Sequence, residues 1–195
     1  MNPLEIFANL FNLASVFLAN RNSFHTWWIG IIGGVLYGVM FYEVKLYADV
    51  NLQAFFILTN LYGWWAWLYG GAERRELPIT RVDWRHLIWY AVLAVVVTAG
   101  HGLLLHRLTD ASFPFIDSII LVFSVVAQFL LMRRKLESWC FWILVDLVAV
   151  PLYAAKELYL TSAIYFLFLL NAVWGLLNWL KIFRAEQAQT YEEIS

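Results

Sequence analysis

Apolar residues run along this chain in seven long stretches, near 4–19, 26–44, 48–70, 84–105, 115–132, 138–155 and 159–181. Each holds roughly 16–24 residues, the length a helix needs to cross the hydrocarbon core of a bilayer. The interruptions are short and polar: NRN, EVKLYAD, GGAERRELPITRVDWR, HRLTDASFP, RRKLES and AAKELY. The pattern predicts seven transmembrane helices and a polar tail, RAEQAQTYEEIS.

Composition agrees. With 63% hydrophobic and only 14% charged residues, no soluble domain is expected, and the fold class is an all-α integral membrane protein. A net charge of -1 gives no pull toward nucleic acid. The lone Cys140 excludes an internal disulfide and a cysteine metal cluster, and no cofactor is expected. The opening MNPLEIFANL lacks the basic start of a cleaved signal peptide, so the first segment is expected to remain.

Lys and Arg set the orientation. One side collects Arg21, Arg74, Arg75, Arg81, Arg85, Arg133, Arg134, Lys135, Lys181 and Arg184; the other collects Lys45, Arg107 and Lys156. The positive-inside rule puts the N-terminus outside and the C-terminus in the cytoplasm, as an odd number of spans requires.

The chain also resembles itself. Shifted by 112 positions, Glu5 meets Asp117, Arg21 meets Arg133 and Trp27 meets Trp139. Leu46-Tyr47 meets Leu158-Tyr159, Gly63 meets Gly175 and Trp67 meets Trp179. Segments 1–3 therefore read as repeated in segments 5–7, in parallel because Arg21 and Arg133 fall on one side. Segment 4 returns the chain to the starting side. The expected organisation is a 3+1+3 bundle: a first repeat in 1–70, a loop and inverter helix in 71–112, a second repeat in 113–182, and a cytosolic tail in 183–195. Parallel repeats are a transporter architecture, with substrate near the midplane at the repeat interface.

One acid stands near the middle of a predicted span, Asp146 in SWCFWILVDLVAVP. An ionisable group there costs about 2.5–3.5 kcal/mol on insertion scales, so it should face protein, water or a ligand. Trp142, four residues earlier, and Tyr153, seven later, share its helix face. An anion among aromatic rings suits a flat organic cation. The plainer alternative is an Asp that bonds to a neighbouring helix and fixes the bundle.

Other polar stripes point the same way. Segment 7 carries Asn171, Trp174 and Asn178 on one face; segment 3 carries Gln53, Asn60, Trp64 and Trp67; segment 5 carries Asp117, Ser124 and Gln128; segment 1 carries Glu5, Asn9 and Asn12. For any single Asn or Gln, an interhelical hydrogen bond explains the residue as well as a ligand does. Together with Asp146 they predict a binding cavity. Trp27, Trp84 and Trp139 begin their segments, where an interfacial belt is the alternative role; Trp64, Trp142 and Trp174 sit deeper as stacking candidates. Gly30, Gly34 and Gly38 form a GxxxG face whose ordinary meaning is close helix packing. Gly34 is the 112-residue counterpart of Asp146. Pro151 removes a backbone hydrogen bond just beyond Asp146, giving a static kink or a hinge.

NLYGWWAW at 60–67, YEVKLYAD at 42–49, FPFIDS at 113–118 and the run from Arg133 to Lys181 resemble the PnuC vitamin transporters over nearly the whole chain. The resemblance implies a SWEET-like 3+1+3 fold, a homotrimer in a bacterial inner membrane, and facilitated diffusion of a vitamin that a cytosolic kinase then traps. Family members similar to nicotinamide riboside importers carry WxxWxxxN in the sixth segment. Here the motif reads Trp139, Trp142, Asp146, with an acid at the last position, as in the thiamine-type (PnuT) members. A carboxamide both donates and accepts hydrogen bonds and suits an amide side chain. Thiamine's exocyclic amine and charged thiazolium suit a pure acceptor with negative charge. Thiamine uptake is the reading this departure favours; nicotinamide riboside, also a fixed cation, is the alternative. The expected substrate-binding residues are Asn60, Trp64, Gln128, Trp139, Trp142, Asp146, Tyr153, Asn171, Trp174 and Asn178.

No nucleophile–base pair, phosphate loop or metal motif argues for an enzyme. His86, His101 and His106 lie on or beside the inverter, at spacings that put no two on one face, and read as peripheral. A haem-binding subunit, a scaffold or sensor, and a proton-coupled symporter are the competing classes.

Overall fold

The computed structural model describes residues 3–43, 47–74, 76–109 and 112–194. Lys45, Leu46 and Arg75, which entered the charge and repeat arguments, lie outside the described residues. Seven α-helices follow in order: α1 Pro3–Asn20, α2 His25–Glu43, α3 Tyr47–Tyr69, α4 Trp84–Leu108, α5 Pro114–Met132, α6 Ser138–Ala155 and α7 Tyr159–Ile194. Among the described residues, four segments are long and apolar enough to cross a membrane: α4, α5, α6 and Tyr159–Ala188 within α7. The tail continues α7 as helix to Ile194 rather than breaking it at the end of the apolar run.

Three of the helices, α1, α5 and α6, stop where the backbone turns left-handed. Asn22 has φ 55° after α1, Arg134 φ 52° after α5 and Glu157 φ 60° after α6. Each turn closes the last carbonyls of its helix in the Schellman manner. Ser23 N–H donates to Leu18 O at 3.0 Å, Lys135 N–H to Leu130 O at 2.9 Å and Leu158 N–H to Tyr153 O at 2.9 Å. Asn tolerates this conformation; for Arg and Glu it costs on the order of 1–2 kcal/mol.

The chain divides into two compact units, Met1–Pro78 with Met132–Arg134, and Ile79–Leu131 with Lys135–Ser195. The first holds α1–α3. Its centre is Trp27, 1% exposed, whose ring meets Trp67 edge-on at 5.2 Å and 85°. A Cβ on Gly63 would come 2.5 Å from the Trp27 ring, so α3 needs glycine there. Ser15 and Thr26 bond each other's backbone, Ser15 Oγ donating to Thr26 O and Thr26 Oγ1 to Ser15 O, both at 2.8 Å, and join α1 to α2.

The same unit buries Arg134. Its Nε donates to Asn22 Oδ1 at 2.9 Å and its Nη1 to Leu77 O. Its guanidinium lies 4.6 Å from the centroid of the Trp67 ring.

The second unit holds α4–α7, and repeats the tryptophan arrangement by itself. Trp139 meets Trp179 edge-on at 5.5 Å and 83°, and a Cβ on Gly175 would come 2.7 Å from the Trp139 ring. The segment before α4 is tied along the turn before α6. Leu136 N–H donates to Thr80 O at 3.0 Å, and buried Glu137 accepts Val82 N–H at 2.8 Å and Arg81 Nε at 3.1 Å. Asp83 caps α4 by accepting Arg85 N–H at 2.8 Å. His101 is not peripheral in one respect: its Nδ1 lies 2.8 Å from Ser118 Oγ and joins α4 to α5. Most of the α4 surface is apolar and exposed, Trp89 and Leu93 among it, as lipid contact requires.

Candidate substrate-binding site

In the second unit the chemistry gathers on α6. Its buried face comprises Ser138, Trp139, Phe141, Val145, Asp146, Ala149 and Leu152, one stripe at helical spacing. Asp146 is 3% exposed, yet accepts no hydrogen bond and forms no ion pair among the described residues. Removing one partner from a buried charge costs several kcal/mol, so a buried acid with no partner among the described residues is an energetic anomaly in this bundle. One turn before it, Trp142 packs against the cluster of Ala127, Leu130 and Phe141. Tyr153, two turns beyond, stacks on Tyr165 of α7 at 4.9 Å and 29°.

The structure distributes the other expected residues unevenly. Trp139 packs over Gly175, meets Trp179 edge-on and is 2% exposed. Trp27 is likewise buried, at 1% exposure; Trp84 alone of the segment-opening tryptophans is exposed, at 65%. Trp174 is half exposed on α7, while Asn171 and Asn178 are partly buried. Gln128 is partly buried on α5. Pro151 is exposed within α6, which continues to Ala155.

In the first unit, Asn60 and Trp64 lie one turn apart on α3, and Trp64 Nε1 is buried without a hydrogen-bond partner among the described residues. Gly30 and Gly34 are buried on α2. A Cβ on Gly30 would come 3.1 Å from Asn60 Oδ1, and one on Gly34 would come 3.2 Å from Ile57 Cγ1. Gly38 is looser, with only Gln53 Cβ at 3.8 Å. The glycine face thus receives side chains of α1 and α3, which the GxxxG pattern did not reveal.

Sequence reasoning passed over two ionic arrangements. Lys156 Nζ binds both oxygens of Asp117, at 2.8 and 3.0 Å, tying the end of α6 to the start of α5. The sequence carries a signal for it, an acid opening one span and a lysine closing the next. Glu137 gave no such signal.

Four apolar segments long enough to span a bilayer, one of them carrying on its buried stripe an acid unpartnered among the described residues, define a membrane protein with an ionisable group held inside its helices. The chain matches the family described as Nicotinamide mononucleotide transporter over residues 2–181. It belongs to that family, the PnuC family of vitamin transporters. It is 27% identical to the nicotinamide riboside transporter PnuC of Escherichia coli (strain K12), over 91% of this chain and 84% of that one. It is 28% identical to the riboflavin/roseoflavin transporter RibM of Streptomyces davaonensis, over 90% and 83%. A crystal structure of the vitamin B3 transporter PnuC is similar at a TM-score of 0.70 and 25% identity, covering 94% of this chain and 84% of that one.

Proposed function

We propose that this vitamin transporter carries nicotinamide riboside into the cell by facilitated diffusion, with a cytosolic kinase trapping the product. Relatives of that name support the substrate. The observation that carries the cation reading is Asp146, buried and without a partner among the described residues, one turn from Trp142. Gln128, Trp139, Trp142, Asp146, Tyr153, Asn171, Trp174 and Asn178 are the second unit's proposed ligand contacts; Asn60 and Trp64 are those of the first. A fixed cation against a desolvated carboxylate and an indole face gains several kcal/mol, of the size a specific site needs.

Thiamine is the second reading, and Asp146 itself favours it. The acid stands where an amide stands in the sequence motif of riboside importers, and it can only accept from thiamine's amine.

The 3+1+3, SWEET-like parallel repeat is part of the same proposal. Its support is that the tryptophan pair, the glycine beneath it and the left-handed turn recur at an offset of 112. An outside N-terminus, a cytoplasmic C-terminus and a homotrimer in the bacterial inner membrane complete it; charge asymmetry supports the first two and family resemblance the third.

Calorimetric titration of the purified chain with nicotinamide riboside, thiamine and riboflavin tests the substrate. Tight binding of the riboside alone is the expected result, and thiamine alone would establish the second reading. Riboflavin alone would overturn both and the cation reading of Asp146 with them, since riboflavin is uncharged and could only donate hydrogen bonds to that carboxylate.

A further inference from the structure

Lys156, which follows the last residue of α6, gives its ammonium to both carboxylate oxygens of Asp117 in the first turn of α5. The two side chains are 28% and 32% exposed, so water reaches the pair. One turn earlier on α6, Tyr153 stacks on Tyr165 of α7. Ser162 Oγ, near the start of α7, donates to Val150 O at 2.8 Å. The last turn of α6 is thus held on two sides, by charge from α5 and by an aromatic ring and a hydroxyl from α7.

That turn is loosely tied to its own helix. Pro151 begins it and has no N–H to give to the carbonyl four residues back, that of Leu147. Beyond Pro151 the backbone closes on itself. Lys156 N–H donates to Leu152 O at 3.0 Å and Leu158 N–H to Tyr153 O at 2.9 Å, with Glu157 at φ 60° between them. A closed turn that follows a proline can swing as one piece. Asp146 lies ten residues before Lys156, about 15 Å along the helix axis. The piece that carries Tyr153 and Lys156 therefore stands at the end of the buried stripe that holds Asp146.

Magnitude separates a latch from a fixed tie. A partly exposed ion pair shifts an equilibrium only about 2- to 5-fold, because water and salt screen it. That is too little to hold a fold together, but enough to bias two arrangements of one helical turn. At the opposite end of α6, Glu137 is 7% exposed and takes the Val82 N–H, as a fixed tie does.

We propose that Lys156 and Asp117 form the latch of an outer gate. The pair holds the last turn of α6 against α5 and closes the approach to Asp146 from the face that bears Lys156. Its release lets the turn swing at Pro151 and opens that approach. The gate rests on the reading of this chain as a transporter, with the face of Lys156 outside as charge asymmetry assigns it.

The test puts a single reporter thiol behind the latch. In a Cys140→Ser background, Ala149→Cys places it on the stripe of Asp146, at a position 0% exposed. A charged, membrane-impermeant methanethiosulfonate is added to intact cells and, separately, to inside-out vesicles. Lys156→Gln and Asp117→Asn should each speed labelling from outside about 2- to 5-fold, and leave labelling from inside unchanged or slower. Exchange of the pair, Asp117→Lys with Lys156→Asp, should restore the slow rate. Asp117→Asn serves where Lys156→Gln does not fold. A wild-type rate from outside in both single variants overturns the latch, as does a rise that is equal from both faces or confined to the inside. Labelling needs no vitamin, so that result leaves the transporter reading standing. Uptake of nicotinamide riboside and of thiamine into proteoliposomes is measured alongside, and absence of both removes that reading and the gate with it.

Discussion

Arg134 Nε donates to Asn22 Oδ1 at 2.9 Å, and the two residues, 112 positions apart, share a left-handed backbone at φ 52° and 55°. Each ends a helix, but only Asn is at ease in that conformation. Arg134 holds it because its side chain is otherwise satisfied: Leu77 O accepts from it, Trp67 lies beneath it and Glu76 Oε2 is 3.6 Å away.

Arg134→Ala keeps the backbone strain and loses every one of these contacts, so it should destabilise the folded chain by about 2–4 kcal/mol. Arg134→Asn removes the same charge but tolerates the left-handed turn, and should lose about 1 kcal/mol less. Thermal unfolding in detergent ranks the variants. Equal melting of Arg134→Ala and wild type would show that the guanidinium contacts add nothing.

Gly63 and Gly175 carry the indoles of Trp27 and Trp139, and neither position has room for a methyl group. Gly63→Ala and Gly175→Ala should each cost about 1–3 kcal/mol through overpacking. Pairing each with the smaller ring, Trp27→Phe or Trp139→Phe, should recover part of the loss. If the second substitution only adds to the first, the indole is not what the methyl meets.

Much of the fold was legible because apolar run length reports membrane span directly. Segment 138–155 became α6 Ser138–Ala155 to the residue, and 115–132 became α5 within one. Hydropathy says nothing of helicity outside lipid, so the continuation of α7 through the polar tail went unseen. Asp146 was legible as an anomaly of charge in an apolar run. The roles of Arg134 and Glu137 were not, since RRKLES reads as a basic loop and only tertiary contact reveals a buried guanidinium and carboxylate. The register of Trp27 with Trp139 and Gly63 with Gly175 held the signal for their packing, which a belt of interfacial tryptophans does not demand.

Glu137 and Arg81 test the difference between a buried and an exposed partner. Glu137, whose side chain is 7% exposed, accepts the Val82 N–H, while the Arg81 side chain is 65% exposed. Glu137→Ala leaves a buried donor unpaired and should cost about 1–3 kcal/mol. Arg81→Ala should cost well under about 1 kcal/mol, as exposed ion pairs do. Melting temperatures give the order, and a larger loss for Arg81→Ala would mean that the ion pair, not the backbone bond, ties this segment.

Asp146 carries the functional claim, and its variants separate charge from shape. Asp146→Asn keeps the volume and the acceptor oxygen but removes the charge; Asp146→Ala removes all three. Against a fixed cation in a desolvated site, loss of the charge should weaken binding about 10- to 100-fold, the size of a charge-assisted contact of roughly 1.5–3 kcal/mol. If the vitamin presents a carboxamide to this residue, Asp146→Asn should instead bind as tightly as wild type while Asp146→Ala does not. Titration of both variants with nicotinamide riboside and with thiamine distinguishes the cases. A wild-type affinity retained by Asp146→Ala for both vitamins would take this residue out of the site. A buried acid without a partner would then have to serve the bundle alone, at a cost that substitution by Ala should return as a higher melting temperature.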